Sequence, residues 1–420
     1  MALTAKAFAE MFTFTRSSSG SYMTATGLIA TAPANTPRFE HDGVAGPKLG
    51  LLMEATRTNL VTKSEDFSDV AHWTTTGVTV ESNSQLAPDG TLTAALISAQ
   101  SAATNDGHIA NPSPSLAGSS LSASVSFFVK PGSSSGAALT TILGNIGGVN
   151  SGGTLTMYIN AAGDPVVATS IFGSCTMSNS RIVKVINGFY RVSATIKANA
   201  QLDSASAPLV RLVPAFSDTG VRTSGLNSTL WGVQFEVGAT VSSYIKTDAS
   251  SVTRVADEAY TSVSQWFNAS VFTLAIKLSA SNYDGFVRAF QFTSGPSQDY
   301  KGLSVELNNT GVAVYHRGSS FTGSSLFSGA AGKASGDKTA ISVSILTNPQ
   351  TETFEPKCFV DGLPLSINPG ASLGLVSDKL DRLYIGSLPN SPLDLGGHIS
   401  SIKVWPRLLT DSEMLLNSIS

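Results

Sequence analysis

Charged residues are scarce in this sequence. Lys, Arg, Asp and Glu make up 13% of the 420 residues, against roughly 25% in an average soluble protein. The formal net charge is -3, so the chain has no overall basic field that would hold nucleic acid by neutralising its phosphates. The polar surface must come from Ser, Thr, Asn and Gly instead, a composition typical of β-rich extracellular proteins.

Cysteine is nearly absent. Only Cys175 and Cys358 occur. They are far apart in sequence, in what we interpret as different domains, so both are predicted to be buried free thiols. No C-x-x-C pair or Cys/His cluster has the spacing of a metal site. The sequence therefore predicts no cysteine-based metal site.

Long apolar runs are missing as well. No stretch reaches the length that crosses a bilayer, and we expect no membrane insertion. Residues 1–6 lack the charged n-region and the apolar core of a signal peptide. We therefore expect synthesis in a cytoplasm without a secretion signal.

The pattern that is present is short alternation of apolar and polar residues, interrupted by Gly, Pro, Asn and Ser. Such a pattern is typical of antiparallel sandwiches, and it predicts an all-β protein. Helical periodicity is limited to residues 6–11 and 410–417, the second of which starts with a capping box, Thr410 and Glu413. Clear examples of alternation are residues 122–130, 154–160, 191–197, 272–278 and 339–346.

The chain is predicted to contain two sandwiches and two accessory segments. Residues 1–62 are irregular and are interpreted as an attachment and oligomerisation segment. Residues 63–247 carry the first sandwich, and residues 262–420 carry the second. Residues 248–261 are predicted to form a linker, and for the polar stretch at 247–257 an edge strand is the alternative. No internal repeat of fixed period is present, so neither a solenoid nor a repetitive shaft is predicted.

Motifs in the first 258 residues follow one another in a specific order. Residues 16–22 read R-S-S-S-G-S-Y, residues 37–42 read P-R-F-E-H-D, and residues 50–60 read G-L-L-M-E-A-T-R-T-N-L. Residues 231–238, W-G-V-Q-F-E-V-G, and residues 252–257, V-T-R-V-A-D, close the series. This order resembles a module of tailed-phage and prophage structural proteins, in which such motifs flank a jelly roll similar to carbohydrate-binding modules.

The resemblance implies a head-spike or tail-fibre protein, with the position on head or tail left open. It implies that the N-terminal segment binds other virion proteins, and that the subunits form a homo-oligomer, a trimer or alternatively a pentamer. The expected localisation is the surface of the virion, after assembly in the host cytoplasm. Release by lysis would explain an extracellular composition without a secretion signal.

Residues 262–420 resemble a concanavalin A-like, laminin-G-type lectin domain. The resemblance is carried by C-F-V-D-G at 358–362, L-Y-I-G at 383–386 and the closing run at 402–413. Pro406 departs from the polar residue that is usual in that family. The resemblance implies a fold more firmly than a function.

Individual motif residues are interpreted mainly as supports of the fold. Trp73 and Trp231 are predicted to anchor the first core, and Arg57 and Asn59 to satisfy turn carbonyls. Strict alternation after Trp231 would place Gln234 and Glu236 on one face. The opposite face, which includes Trp231, would then comprise Val233, Phe235 and Val237.

Catalytic motifs are not recognised in the sequence. It contains no G-x-S-x-G elbow, P-loop or H-E-x-x-H. Glycoside hydrolysis needs two carboxylates flanking the bond, and the pair Glu352 and Glu355 lies in a turn-like stretch beside Pro356. We therefore expect no enzymatic activity and no cofactor.

A sugar site is predicted on loops of the C-terminal domain. Lectin sites combine an aromatic face with Asp, Asn or backbone groups that bind hydroxyls. The run Asn282-Tyr283-Asp284-Gly285 fits this best, although an ordinary Asn/Asp turn gives the same pattern. The predicted binding residues are Trp266, Asn282, Tyr283, Asp284 and Tyr300, with Asp299 beside them.

Calcium is a weaker expectation for the same domain. Asp284, Asp299 or Asp394 offers carboxylate oxygens of the kind that calcium prefers. No dense D-x-D-x-D loop accompanies them.

Three functions remain open at this point. The first is adhesion to a host surface polysaccharide. The second is structural decoration of the capsid or tail without glycan binding. The third is a polysaccharide depolymerase, which the lack of β-helix periodicity disfavours.

Overall fold

The computed structural model describes residues 6–100, 108–112, 121–203, 208–216, 224–263, 271–281, 286–293, 302–317, 325–329, 334, 336–348, 353–368, 380–388 and 395–419. Their helices are α1 (Phe8–Met11), α2 (Asp411–Asn417) and a 3-10 turn (Ile186–Gly188). The remaining regular structure of these residues is β-strand, which confirms the all-β prediction.

The first eighteen strands cover the N-terminal segment and the first sandwich. The N-terminal strands are β1 (Thr13–Thr15), β2 (Gly20–Met23), β3 (Ile29–Ala32), β4 (Phe39–His41), β5 (Lys48–Met53) and β6 (Arg57–Asn59). The sandwich strands are β7 (Thr74–Thr76), β8 (Val78–Gln85), β9 (Ala94–Ala99), β10 (His108–Pro112), β11 (Ser122–Pro131), β12 (Gly136–Ile146), β13 (Val149–Ile159), β14 (Pro165–Phe172), β15 (Cys175–Lys184), β16 (Tyr190–Ala198), β17 (Leu209–Phe216) and β18 (Asn227–Val237).

The other strands lie in the C-terminal part of the chain. They are β19 (Val252–Arg254), β20 (Glu258–Ser262), β21 (Val271–Ala280), β22 (Val287–Thr293), β23 (Gly302–Asn308), β24 (Gly311–Arg317), β25 (Ser325–Gly329), β26 (Lys338–Asn348), β27 (Thr353–Val360), β28 (Leu363–Leu365), β29 (Arg382–Ile385) and β30 (Gly397–Trp405).

Two six-stranded antiparallel sheets form the first sandwich. Sheet I has the order β14-β13-β12-β17-β10-β7, and sheet II has the order β15-β16-β11-β18-β9-β8. Leu139, Leu155 and Leu212 of sheet I share a core with Phe127 and Phe235 of sheet II, and all five are 0% exposed. Because side chains alternate along a strand, the intervening residues of each strand point to the outer face of their sheet.

Two seven-stranded sheets form the second sandwich. Sheet III has the order β1-β20-β29-β22-β23-β24-β25, and sheet IV has the order β28-β27-β26-β21-β30-β5-β4. Their core includes Leu274, Ile276, Phe290, Val305 and Ile341. Burial of such apolar area is the main term that stabilises the sandwich.

The N-terminal segment, predicted to be irregular, pairs with distant strands. Phe14 in β1 pairs with Ala259 in β20, and Leu51 in β5 pairs with Ile399 in β30. These strands are short and their partners lie in the second half of the chain, so they give no local periodic signal. The role of this segment in attachment stays a prediction.

The stretch between the two sandwiches is also built into the fold. It contains β19, which pairs with β6, and the first part of β20. Arg254 is 2% exposed and Asp257 is 0% exposed. This stretch therefore contributes strands to the fold, and β20 lies between β1 and β29 inside sheet III.

Other local predictions are confirmed. Cys175 lies in the core of the first sandwich and Cys358 in the core of the second, both as buried free thiols. The side chain of Thr410 accepts the backbone N–H of Glu413 at 3.3 Å, which starts α2.

Candidate ligand-binding face

The sugar-binding residues predicted from the sequence lie outside the described part of the chain. They are Trp266, Asn282, Tyr283, Asp284 and Tyr300. Asp299 and Asp394, considered as calcium ligands, also lie outside it. The sugar site and the calcium site therefore stay predictions.

The N-terminal motifs meet in one buried ion-pair network. Arg16 Nη1 lies 3.0 Å from Asp257 Oδ1, and Arg38 Nη2 lies 2.5 Å from Asp257 Oδ2. Arg38 Nη1 lies 2.8 Å from Glu54 Oε2. The four side chains are at most 8% exposed, and each comes from a different motif. The spacing of the motifs along the chain thus corresponds to one cluster in space.

Hydrogen bonds complete the environment of Glu54. Its carboxylate accepts the backbone N–H of Ser243 at 2.6 Å and the Ser243 hydroxyl at 2.7 Å, and Arg254 Nη2 lies 3.5 Å away. Burial acts to raise the pKa of Glu54. The charges of Arg254 and Arg38, together with the bonds from Ser243, outweigh burial and hold this pKa well below its ordinary value.

The network joins three parts of the chain and leaves no open acceptor. Asp257 Oδ2 also accepts the backbone N–H of Glu54 at 2.9 Å, so every carboxylate oxygen of these two residues is hydrogen-bonded. The carbonyl of Asp257 accepts the Ser387 hydroxyl from the second sandwich at 2.6 Å. A buried network whose carboxylate oxygens are all hydrogen-bonded is suited to holding the fold and offers no free carboxylate to a ligand.

The outer face of sheet II is covered by other parts of the same chain. Met23 from the N-terminal segment and Tyr244 pack with Phe128 and Trp231 in an apolar cluster. The rings of Trp231 and Tyr244 lie 4.7 Å apart. Ser124 on β11 donates to the carbonyl of Thr240 at 2.9 Å. Sheet II therefore offers little free surface for recognition.

The alternation predicted after Trp231 is wrong at its first position. Trp231 packs in the outer cluster, whereas Val233 and Phe235 lie in the core. Gly232 has φ +60°, and the pairing of β18 with β11 shifts register beside it. A β-bulge adds one residue and reverses the faces that follow. Val237, at the strand end, is 43% exposed.

Two other motif predictions are confirmed in part. Trp73 is 1% exposed and anchors the first core, and its indole N–H donates to the carbonyl of Lys63 at 3.0 Å. Asn59 does satisfy backbone carbonyls, but those of Val233 and Ile245, outside its own segment.

Glu236 is a buried carboxylate of the covered face with no cation at hydrogen-bond distance. It accepts the Ser242 hydroxyl at 2.9 Å and the Gln234 amide, while Arg57 Nε lies 3.8 Å away. Burial raises the pKa of Glu236 to about 7, against the bond from Ser242 and the charge of Arg57, which act to lower it.

The outer face of sheet I is partly open to solvent. Arg211, Thr140, Thr154 and Ser170 are successive cross-strand partners in one row over β17, β12, β13 and β14. Arg211 and the two threonines are half-buried, and Ser170 is exposed. The hydroxyls of Thr140 and Thr154 lie 2.9 Å apart. The row thus presents a guanidinium followed by three hydroxyl groups.

Aromatic side chains lie on the same face. Phe172 follows Ser170 on β14, and a Cβ added to Gly152 would lie 2.9 Å from Phe172 Cζ. The Phe172 ring therefore packs over Gly152, where the absence of a side chain leaves room for the ring. Tyr158 on β13 is half-buried and pairs with Gly136. We call Arg211, Thr140, Thr154, Ser170, Phe172 and Tyr158 the open face.

Arg211 has no counter-charge on this sheet. Among the strand residues described for sheet I, it is the only Asp, Glu, Lys or Arg. Within the described chain its guanidinium makes no ion pair, and its buried Nε has no hydrogen-bond partner. A buried donor without a partner costs about 1–3 kcal/mol. The Nη donors of this guanidinium also have no partner among the described residues, and they are the donors that ligand oxygens could use.

The second sandwich has a comparable row of polar and aromatic side chains on an outer face, but these side chains are buried. Tyr384 and Gln291 pair on the outer side of sheet III, and the rings of Tyr260 and Tyr384 lie 5.4 Å apart. Tyr384 is 2% exposed and Gln291 is 0% exposed. A ligand has no access to these side chains, so the open face is the better candidate.

Sequence reasoning missed the open face. The sugar contacts predicted from the sequence lie on loops of the C-terminal domain, whereas Arg211 lies in an apolar strand, L-V-R-L-V at residues 209–213. A single charge in such a strand was the available signal. This signal cannot be interpreted from the sequence alone, because the register of β17 against β12 decides whether Arg211 faces the core or the solvent.

Two further findings concern metals and membranes. Among the described residues, no group of three or more His, Cys, Asp or Glu side chains is arranged to hold a metal ion. The helices described here are too short to cross a membrane.

Comparisons with known proteins find structural neighbours only. No protein-family model and no curated sequence matches the chain. The chain is similar to a CBM40 domain of the Ruminococcus gnavus IT-sialidase bound to α2,3 sialyllactose, with 15% identity over 36% of this chain and 83% of that one, at a TM-score of 0.28.

Two other neighbours cover more of the chain. The Trypanosoma rangeli sialidase in complex with sialic acid aligns at 13% identity over 67% of this chain and 52% of that one, with a TM-score of 0.29. The CBM22 tandem domain of Paenibacillus barcinonensis Xyn10C aligns at 10% identity over 84% and 98%, with a TM-score of 0.26. At these TM-scores the alignments carry no argument about function, which must rest on the residues of this chain.

Proposed function

We propose that this chain is a non-enzymatic glycan-binding protein whose binding surface is the open face of sheet I. The observation that carries the proposal is the row of Arg211, Thr140, Thr154 and Ser170 beside aromatic rings. Hydroxyl and guanidinium groups hydrogen-bond sugar hydroxyls, and aromatic rings pack against the apolar faces of sugar rings. The row crosses three strand spacings, about 14 Å, which suits an oligosaccharide.

The proposed setting is a virion. The order of the N-terminal motifs resembles phage structural proteins, and we extend that resemblance to a head-spike or tail-fibre subunit on the particle surface. The N-terminal segment would bind other virion proteins, and a trimer or pentamer would present several copies of the open face. Avidity would then raise weak binding per copy to effective adhesion.

A structural decoration protein is the second candidate. It is favoured by the buried network of Arg16, Arg38, Glu54 and Asp257, in which the motif residues serve the fold. Polysaccharide cleavage has less support, because the strand residues described for sheet I include no Asp or Glu to act as a catalytic pair.

The proposal is tested by binding of labelled full-length protein to host cells before and after removal of their surface polysaccharide. We expect binding that is lost on removal and is weakened in Tyr158→Ala and Phe172→Ala. Phe286→Ala is the matched control, because Phe286 is 41% exposed on the second sandwich. Equal binding to both cell preparations, or no binding at all, would contradict glycan adhesion and favour decoration.

Phe286→Ala also tests the site predicted from the sequence, since Phe286 directly follows the run at 282–285. Loss of binding in this variant, with Tyr158→Ala unaffected, would move the site to the C-terminal domain.

A further inference from the structure

We infer that the open face selects an acidic glycan and that Arg211 binds its carboxylate. This inference rests on the proposed function and adds the chemical class of the ligand. The starting observation is an imbalance of charge: Arg211 is the only charged residue among the described strands of sheet I, and its described surroundings provide no carboxylate partner.

The other arginines of the first 260 residues show what such a side chain normally receives. Arg16 and Arg38 each contact a carboxylate at 3.0 Å or less, and Arg181 contacts Asp42 at 2.6 Å. Even Arg191 donates to the carbonyl of Ser242 at 2.6 Å and to a serine hydroxyl at 3.1 Å. Arg211 is therefore exceptional in being half-buried with no such acceptor.

The neighbours of Arg211 point to the same ligand. Its row partner Thr140 is bonded to Thr154, and threonine hydroxyls neutralise no charge. A guanidinium offers two parallel N–H donors that match the two oxygens of a carboxylate, whereas a single hydroxyl uses only one of them. The described strands of this sheet carry no acidic side chain that would repel an anionic polymer.

The geometry assigns separate tasks along the row. Arg211 on the inner strand β17 would bind the carboxylate of a uronic acid or related sugar. The hydroxyls of Thr140, Thr154 and Ser170 would contact the neutral parts of the chain, and Phe172 at the edge would pack against a ring. Removal of the charge would then weaken acidic ligands selectively and leave contacts to neutral sugars in place.

The test uses a glycan array that carries neutral, sulfated and carboxylate-bearing oligosaccharides, probed with the full-length protein. We expect the bound glycans to carry carboxylates, and binding to fall at least about tenfold when those carboxyl groups are reduced to alcohols. Arg211→Gln should lose a similar factor. Arg211→Lys should also bind more weakly, because it keeps the charge but lacks the forked donors.

Lys197→Gln is the matched control, because it removes one positive charge from an exposed position on sheet II. It should bind like the wild type. Thermal unfolding of each variant establishes that the fold is intact.

The outcomes separate this inference from the proposed function. Equal binding before and after carboxyl reduction would overturn the acidic specificity and leave glycan binding standing. Equal binding of sulfated and carboxylate-bearing glycans, with Arg211→Lys unimpaired, would show a general anion site and overturn the assignment to carboxylates. No binding to any glycan of the array would reject both.

Discussion

The two outer faces of the first sandwich come from the same alternation of residues but differ in how their arginines are paired. On sheet II, Arg191 is bonded to Ser126 and Ser242, and the face is covered by the N-terminal segment and Tyr244. On sheet I, Arg211 is half-buried and has no described partner. The difference separates side chains that hold the fold from a side chain that is available to a ligand.

The motifs that suggest a family therefore describe the covered side of the molecule. They contribute Arg16, Arg38, Glu54 and Asp257 to one buried network. The open face contains none of these motif residues.

The largest effect is expected from Arg38→Met. This change leaves the buried carboxylates of Glu54 and Asp257 without their closest shared cation, which typically costs about 3–5 kcal/mol. The free energy of unfolding of the full-length protein, from urea denaturation, measures it. A loss below about 1 kcal/mol would mean that the network does not hold the fold.

The next largest effect is expected at Glu236, as a dependence of the free energy of unfolding on pH. Its pKa is about 7 in the folded protein and about 4.3 when unfolded. The folded state therefore holds this proton more tightly, and the free energy of unfolding should fall as pH rises from about 4.3 to 7, by about 3 kcal/mol. The effect of this group becomes constant above about pH 8.

Glu236→Gln is the variant that isolates this effect, because it is isosteric and does not titrate. Its free energy of unfolding should show a smaller decline between pH 4.3 and 7 than the wild type. Parallel curves for the two proteins over this range would contradict the assignment. Glu54 has the opposite effect, because its pKa is lowered in the folded protein. Its ionised carboxylate stabilises the fold at pH values above the ordinary pKa of a glutamate. This contribution to the free energy of unfolding is lost as pH falls below that ordinary pKa.

A smaller effect is expected where the N-terminal segment meets the second sandwich. Gly50 has φ +118°, and a Cβ there would lie 2.2 Å from the carbonyl oxygen of Ile399. Gly50→Ala should cost about 2–3 kcal/mol, from backbone strain and the clash. Gly163→Ala is the control, with φ +88° and no atom within 4 Å of the added Cβ, and should cost about 1 kcal/mol. Equal losses of the free energy of unfolding in the two variants would show that β5 can move to accommodate the added Cβ at no extra cost.

The smallest effect is expected from Arg211→Met. Since Arg211 loses no described partner and Met removes its unpaired buried Nε, the replacement should not lower the free energy of unfolding and should raise it by about 1 kcal/mol. The same substitution at Arg38 is the comparison, because it removes a guanidinium that has four described acceptors. A large loss at Arg211 would mean that this side chain supports the fold after all.

Much of the fold could be predicted because the signals are local. The alternating runs gave the sandwiches, and Thr410 with Glu413 gave the start of α2. The bulge at Gly232 could not be predicted, because the sequence does not show whether a glycine in a strand has a positive φ. Without the bulge, alternation places Trp231 on the wrong face of sheet II.

The sites were harder to predict because they depend on contacts between distant residues. Arg16 and Asp257 are 241 positions apart in the chain, so the ion pair leaves no local pattern. Arg211 was missed for a related reason, since its exposure depends on the register of β17 against β12.

The central claim, that ligands bind the open face, is tested most directly by hydroxyl-radical footprinting of the full-length protein with and without glycan released from host cells. The account predicts that bound glycan reduces labelling of Tyr158 and Phe172 and leaves Phe286 unchanged. Reduced labelling of Phe286 alone, with Tyr158 and Phe172 labelled as in the free protein, would contradict it.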